Sequence, residues 1–276
     1  MSVTPKIPLM IDVSHWEPDI RWQELSPRPA IVITKASEGK SWTDPSFISH
    51  WNGSKSIGAH TGAYHFFHIN DIEGQVQNYL AQMAKVGAFQ WISGWTEKVS
   101  PILDMEYTPA ATLPKNRRPK GYVEPLRGTA LANQIHAWLV RAEALTGRRP
   151  EIYGRATGWA YTFDALGRPP SWAKYYRVWV AGYPDRPDEF DTLPDVYMPK
   201  GFERWIAWQY SEAGILKGVP YDGVDLNLIN PAWLAELGVT DIPADIPPTT
   251  PPAGTYREGY LTALGDVVSA VERLGR

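Results

Sequence analysis

Short apolar runs of strand type alternate with longer stretches of helical period along most of this chain. The runs over 9–14, 30–36, 61–67, 100–106, 151–153, 177–181, 205–209 and 223–226 are rich in aliphatic, β-branched and aromatic residues, so each predicts a strand. Helices are expected over 45–56, 71–86 and 128–146. In the last, Leu131, Ile135, Trp138, Leu139, Ala142 and Leu145 form one apolar stripe at helical spacing, and Gly147 follows as a stop signal. Eight strands with helices between them predict an α/β fold closed as a (β/α) barrel. Beyond position 177 the gaps hold Pro and Gly instead of helical periods, so the last strands are expected to lack full partner helices.

Two segments break this rhythm. Residues 108–125 carry Lys115-Asn-Arg-Arg-Pro-Lys120 directly after a pair of acids, a charge run that reads first as a solvated loop. Residues 240–255 hold five prolines in sixteen positions and read as a semi-rigid linker. After it, Tyr260, Leu264, Val267, Val271 and Leu274 recur at spacings of four and three. Two heptads are too short to stand as an isolated helix, so the tail is expected to self-associate or to dock on the barrel. The expected organisation is therefore a barrel over 1–239, a linker over 240–255 and an amphipathic helix over 256–276.

Composition narrows the classes. With 27 Lys and Arg against 30 Asp and Glu, the chain lacks the basic excess of a nucleic-acid binder. It has no Cys, which excludes disulfides and thiolate metal sites. No apolar run reaches the length of a membrane span, and the first residues show no apolar core of a secretory signal. Tryptophan and tyrosine, at 13 and 14, far exceed the 7 phenylalanines. Both pair a flat apolar face with a hydrogen-bonding edge, which suits sugar stacking as well as core packing.

The chemistry concentrates at strand ends. In Pro101-Ile-Leu-Asp-Met-Glu-Tyr107 an apolar run ends in Asp104 and Glu106, spaced i and i+2. On a strand that spacing puts both carboxyls on one side and Met105 on the other. Adjacent acids oppose each other's ionisation, so one is expected to keep its proton and serve as a general acid. An isolated Asp-x-Glu is more often a solvated strand end. What turns the balance is that other strands also end in reactive groups: Asp12, Lys35 with Glu38, the 64–68 run, and Asp225. In (β/α) barrels such groups gather at the C-terminal ends of the strands. Several converging carboxylates fit glycoside hydrolysis.

The ordered motifs Asp12-Val-Ser-His-Trp16, Lys35-Ala-Ser-Glu-Gly39, Trp42-Thr-Asp-Pro45, Gly62-Ala-Tyr-His-Phe-Phe67, Ile102-Leu-Asp-Met-Glu106, Ile152-Tyr153, Trp208-Gln-Tyr-Ser211 and Val224-Asp-Leu-Asn227 resemble those of glycoside hydrolase family 25 lysozymes. The resemblance covers roughly 7–237. It implies an irregular TIM-like barrel, five β/α units followed by three strands. It also implies N-acetylmuramidase activity on bacterial peptidoglycan. By the same resemblance Glu106 is the general acid/base, and Asp104 is the partner that orients the sugar's acetamido group. Asp12 and Asp225 would flank them. Tyr64, Tyr153 and Trp208 would line the groove, with Lys35 and Trp42 as further substrate contacts; the family often has Tyr at the position of Trp42. Since an N-acetylated sugar carries its own nucleophile, retention through an oxazolinium-type intermediate is expected. No cofactor or metal is implied. The absent signal suggests phage-type release or nonclassical export toward the wall.

Blander readings apply to several of these residues. Lys35 can be a buried ion-pair partner. His15, His65 and His68 lack metal-ligand spacing and read as hydrogen-bonded structural histidines. Two further functions share the scaffold: a catalytically silent glycan-binding module, and a hydrolase attached to a larger particle through its tail.

Overall fold

The computed structural model describes residues 8–69, 71–106, 128–156, 158–159, 168–184, 192–220 and 223–238. The basic run at 115–120, the linker and the terminal segment lie outside them.

Strands β1 (Leu9–Val13) and β2 (Ile31–Glu38) pair in parallel, and β2 turns back into the two-residue β3 (Trp42–Thr43). Helix α1 (Phe47–Ser56) leads to β4 (His60–Phe66), and α2 (Ile72–Lys85) follows. A small hairpin of β5 (Phe89–Gln90) and β6 (Gly94–Trp95) precedes β7 (Ile102–Asp104). Helix α3 (Gly128–Thr146) then connects to β8 (Glu151–Arg155). Strands β9 (Arg177–Ala181), β10 (Arg204–Gly214) and β11 (Val224–Ile229) follow, and the short α4 (Pro231–Leu237) closes the described part. Around the ring the order is β1, β2, β4, β7, β8, β9, β10, β11, and β11 pairs with β1, so eight strands make a closed barrel.

The eight predicted strands and the three helices expected over 45–56, 71–86 and 128–146 are present, with small shifts at their ends; the helix expected over 256–276 lies outside the described residues. Buried Leu131, Ile135, Trp138, Leu139 and Ala142 form the inner face of α3, and Gly147 ends it at φ +68°, a conformation glycine adopts without strain. The units are less regular than five repeats: the link from β1 to β2 carries only the 3-10 turn Trp22–Glu24. Between β9 and β10 the described residues hold a single 3-10 turn, Asp195–Tyr197.

One departure matters for the site. All neighbouring pairs from β1 round to β10 are parallel, but β11 is antiparallel to both β10 and β1. The link 215–223 is too short for the crossover that a parallel return needs.

The barrel interior is layered. At the end where the parallel strands begin, Trp233, Leu234 and Leu237 of α4 plug it, and Arg177 pairs with buried Glu151 and with Glu236. Above this plug lie Met10, Ile31, Ile33, Ile102 and Ile229. A second core, containing Leu103, Met105, Trp138 and Trp208, fills the space between the sheet's outer face and the elements outside it. The apolar filling stops short of the other mouth, where polar side chains take over. Among the described residues no helix is long and apolar enough to cross a membrane.

Candidate active site

Asp12, Lys35, Tyr64, Asp104, Glu106 and Asp225 line one cleft at the mouth where the parallel strands end. Alternation puts them there. Asp104 is the last residue of β7 and lines the cleft with Glu106, while Met105 between them is buried in the outer core. Tyr64 and Phe66 face the cleft from β4, and His65 points outward to Ser37 and Gln75.

Asp104 and Glu106 stand in different surroundings. Asp104 is buried, and its Oδ1 has no hydrogen-bond partner. Burial, reinforced by the Glu106 charge, raises its pKa well above the usual carboxylate range. Glu106 reaches solvent, yet the concave wall of protein around it raises its pKa too, opposed by the charges of Arg155 and Lys35. The free protein therefore keeps a proton on this pair, preferentially on the deeper member. Tyr64 lies within the field of all four acids and is held protonated by burial and by those charges.

Asp12 and Asp225 sit directly opposite each other across β1 and β11. Asp12 accepts from Asn227 Nδ2 at 2.7 Å and from Gln209 Nε2 at 3.1 and 3.2 Å. These amides favour its charged form against the burial that raises its pKa. Asp225, partly buried beside that charge, is pushed up further and retains the proton the two share. The amides are themselves fixed. Gln209 Oε1 accepts from Tyr153 Oη at 2.7 Å and Tyr183 Oη at 2.5 Å, and Asn227 Oδ1 accepts from Trp179 Nε1 at 2.7 Å. A rigid polar floor thus holds one acidic pair opposite the other.

The arrangement combines an acid at the cleft surface, a buried carboxyl oxygen without a partner and a second acidic pair across the barrel. It is suited to protonating a leaving oxygen while stabilising a developing cation. A family model described as "Glycosyl hydrolases family 25" matches residues 11–219. The chain belongs to glycosyl hydrolase family 25.

Its relatives in the family include Lysozyme M1 of Streptomyces globisporus, 28% identical over 229 residues that span 80% of this chain and 67% of that protein. The N,O-diacetylmuramidase of Chalaropsis sp is 29% identical over 207 residues, 73% of this chain and 87% of that one. The crystal structure of the bacterial lysozyme from Streptomyces coelicolor superposes with a TM-score of 0.64 at 26% identity, covering 84% of this chain and 98% of that one.

Not every residue expected at the groove is there. Trp208 is fully buried in the outer core, where its Nε1 donates to Gly182 O at 2.8 Å and its ring stacks on Tyr197. Its neighbour Gln209 takes the inward position, and strand alternation sends Trp208 the other way. Tyr153 faces inward but lies in the floor, 4% exposed and packed against Trp179. Lys35 pairs with Glu38 Oε2 at 2.8 Å, and none of the four acids is its hydrogen-bond partner. Trp42 stands beyond the lining on β3, with the Lys35 ammonium 4.9 Å from its ring centre. Asp225 also arrives by a different route than the strand-end rule supposes. It lies near the start of β11, and the reversal of that strand brings it to the active mouth.

Sequence reasoning missed Gln209, Asn227, Tyr183, Arg155 and Trp16. Asn227 was within reach, since it lies two positions from Asp225 and shares its face. Gln209 stands out as the polar residue interrupting an apolar strand, but nothing local to it names its partner. The histidines are structural: His65 bonds Ser37 and Gln75, His15 bonds Asp44, and His68 meets Glu38.

Proposed function

We infer that this family 25 chain is an N-acetylmuramidase that cleaves the β-1,4 bond between N-acetylmuramic acid and N-acetylglucosamine in bacterial peptidoglycan. Family membership and the lysozyme and muramidase relatives support the reaction class. The Asp104 carboxyl on the cleft wall beside Glu106 carries the assignment of roles.

A 2-acetamido N–H that meets the Asp104 carboxyl from the cleft gives it a hydrogen bond. It also favours the charged form of Asp104, so the proton of the pair passes to Glu106, the member that reaches solvent and the glycosidic oxygen. Glu106 then protonates the leaving group while the acetamido oxygen attacks the anomeric carbon. The resulting oxazolinium is opened by water that Glu106 activates in turn. The charged member of the Asp12–Asp225 pair faces the cationic ring from across the cleft. The outcome is net retention without a covalent enzyme adduct. The chain acts on the bacterial wall, and segment 256–276, with its apolar seam, is the part expected to self-associate or dock.

Glu106→Gln keeps the shape and removes the transferable proton. General acid catalysis contributes about 10²–10⁴-fold, so lysis of purified walls should fall by that order with the thermal midpoint unchanged. Near wild-type lysis by this variant rejects the role of Glu106. Early-time NMR should show the β-anomer of the product first; the α-anomer first rejects retention. A silent glycan-binding module would bind walls and leave their turbidity constant.

A further inference from the structure

An aromatic surface continues the cleft away from the acids. Trp16 is 74% exposed, yet it borders the cleft beside Asp12 and Glu17. Its turn is firmly braced. Glu17 N donates to Ser14 O at 3.0 Å, Ser14 N to Glu17 Oε2 at 2.9 Å, and Trp16 N to Ser14 Oγ at 3.3 Å. Buried Asp44 receives both the backbone N and the Nδ1 of His15 through Oδ2, at 3.0 and 3.1 Å. His15 then links two tryptophans: its ring centre lies 4.7 Å from that of Trp16 and 5.2 Å from that of Trp42, which meets it edge-on. Trp42 is 39% exposed and is held by the pairing of β3 with β2, opposite Glu38.

Two indoles from separate elements therefore present exposed area on a fixed support, contiguous with a cleft of acids. A pyranose ring has an apolar C–H face and a rim of hydroxyls. Flat indoles suit the face, and the carboxylates of Glu17 and Glu38 beside them can accept from the rim. The shelf rises from the ends of β1 and β2, three and two strands around the rim from the β7 that leads into Glu106. That places it on a different part of the mouth from the group that meets the scissile bond.

We propose that the Trp16–His15–Trp42 shelf is a stacking subsite for a pyranose of the glycan chain outside the pair of sugars being cleaved. It rests on the muramidase reading and adds a preference for longer strands. The substrate-facing member on the cleft edge is Trp16.

Glu106→Gln protein provides a form that binds glycan without cutting it. Calorimetry with peptide-free, alternating β-1,4 N-acetylglucosamine/N-acetylmuramic acid strands of increasing length tests the shelf. Adding Trp16→Ala is expected to weaken binding of the longer strands about three- to tenfold and to leave the disaccharide unchanged. Trp16→Phe should recover most of the loss. An unchanged unfolding midpoint is expected, because the side chain is largely exposed. A loss equal at every length, or none, overturns the shelf while leaving the enzyme reading intact. Failure of Glu106→Gln protein to bind any strand, or its lysis of walls at wild-type rate, rejects the muramidase reading and the shelf with it.

Discussion

Gln209 is the keystone of the polar floor, and replacing it with Met tests how that floor works. Methionine preserves the length and volume of the side chain but removes every hydrogen bond it makes. Tyr153 Oη is buried and loses its acceptor, which costs about 1–3 kcal/mol. Asp12 loses the amide that donates to both of its oxygens, a charge-assisted loss of about 1.5–3 kcal/mol. Tyr183 is only half-buried and can turn to water, so it adds little. The sum of about 2.5–6 kcal/mol is a large fraction of a domain's stability and corresponds to roughly 5–24 °C in midpoint for a chain of this size.

Circular-dichroism melts at pH 4 and pH 7.5 give the measurement. Burial holds Asp12 at about 6, above its ordinary value, so the fold favours its neutral form. The stability this group contributes is full below the ordinary carboxylate pKa and declines as pH rises through about 6. Gln209→Met raises the folded value further and extends that decline to higher pH. The deficit of the variant should therefore be greater at pH 7.5 than at pH 4. A midpoint drop below 2 °C, or the same drop at both pH values, refutes the view that Gln209 supports a charged Asp12.

Three further outcomes follow from the geometry. Arg155 ends β8 beside Glu106, held over the Tyr183 ring and paired with Glu212 at 3.1 Å; its charge lowers the Glu106 pKa and that of Glu212 raises it. The alkaline limb of the pH–rate profile should thus move up in Arg155→Gln and down in Glu212→Gln, and shifts of the same sign would contradict this. His136 stacks on Trp172, and burial depresses its pKa to about 4. Its neutral form stabilises the fold above about pH 6.5, and that contribution is lost as pH falls toward 4; His136→Phe should flatten the loss in pH-dependent melts. Trp208→Ala should cost about 3–5 kcal/mol by denaturant unfolding while leaving KM unchanged at temperatures where the variant is folded; a raised KM would return Trp208 to the groove.

The barrel was legible because its signals are local. The strands are short apolar runs, and the α3 stripe is a repeat visible within one segment. The Asp104–Glu106 pair was legible for the same reason, since alternation along one strand settles which side each faces. What could not be read was how separate strands meet. The inward place of Gln209 depends on which face of β10 closes against β1, and a polar residue between Trp208 and Tyr210 carries no local sign of its partner. Trp208 was expected at the groove by the family resemblance, whereas the phase of β10 turns it to the outer core. The reversal of β11 was likewise hidden, because the strand's own pattern is the same in either direction. Its signature lay in the short link before it.

That reversed strand also routes the chain. In a barrel of repeating units a final helix must carry the chain back from the active mouth; here β11 makes the return itself, setting Asp225 at the mouth before descending to the opposite end. There Lys98 Nζ donates to Leu237 O at 2.7 Å and Arg177 grips Glu236, so α4 is moored among the strand starts, where β1 also begins. Both ends of the described barrel consequently lie on the face remote from the glycan. A fluorophore, surface anchor or second wall-binding unit joined after Gly238 sets out from that rear face, and the enzyme can be tethered there with its cleft left open to an incoming strand.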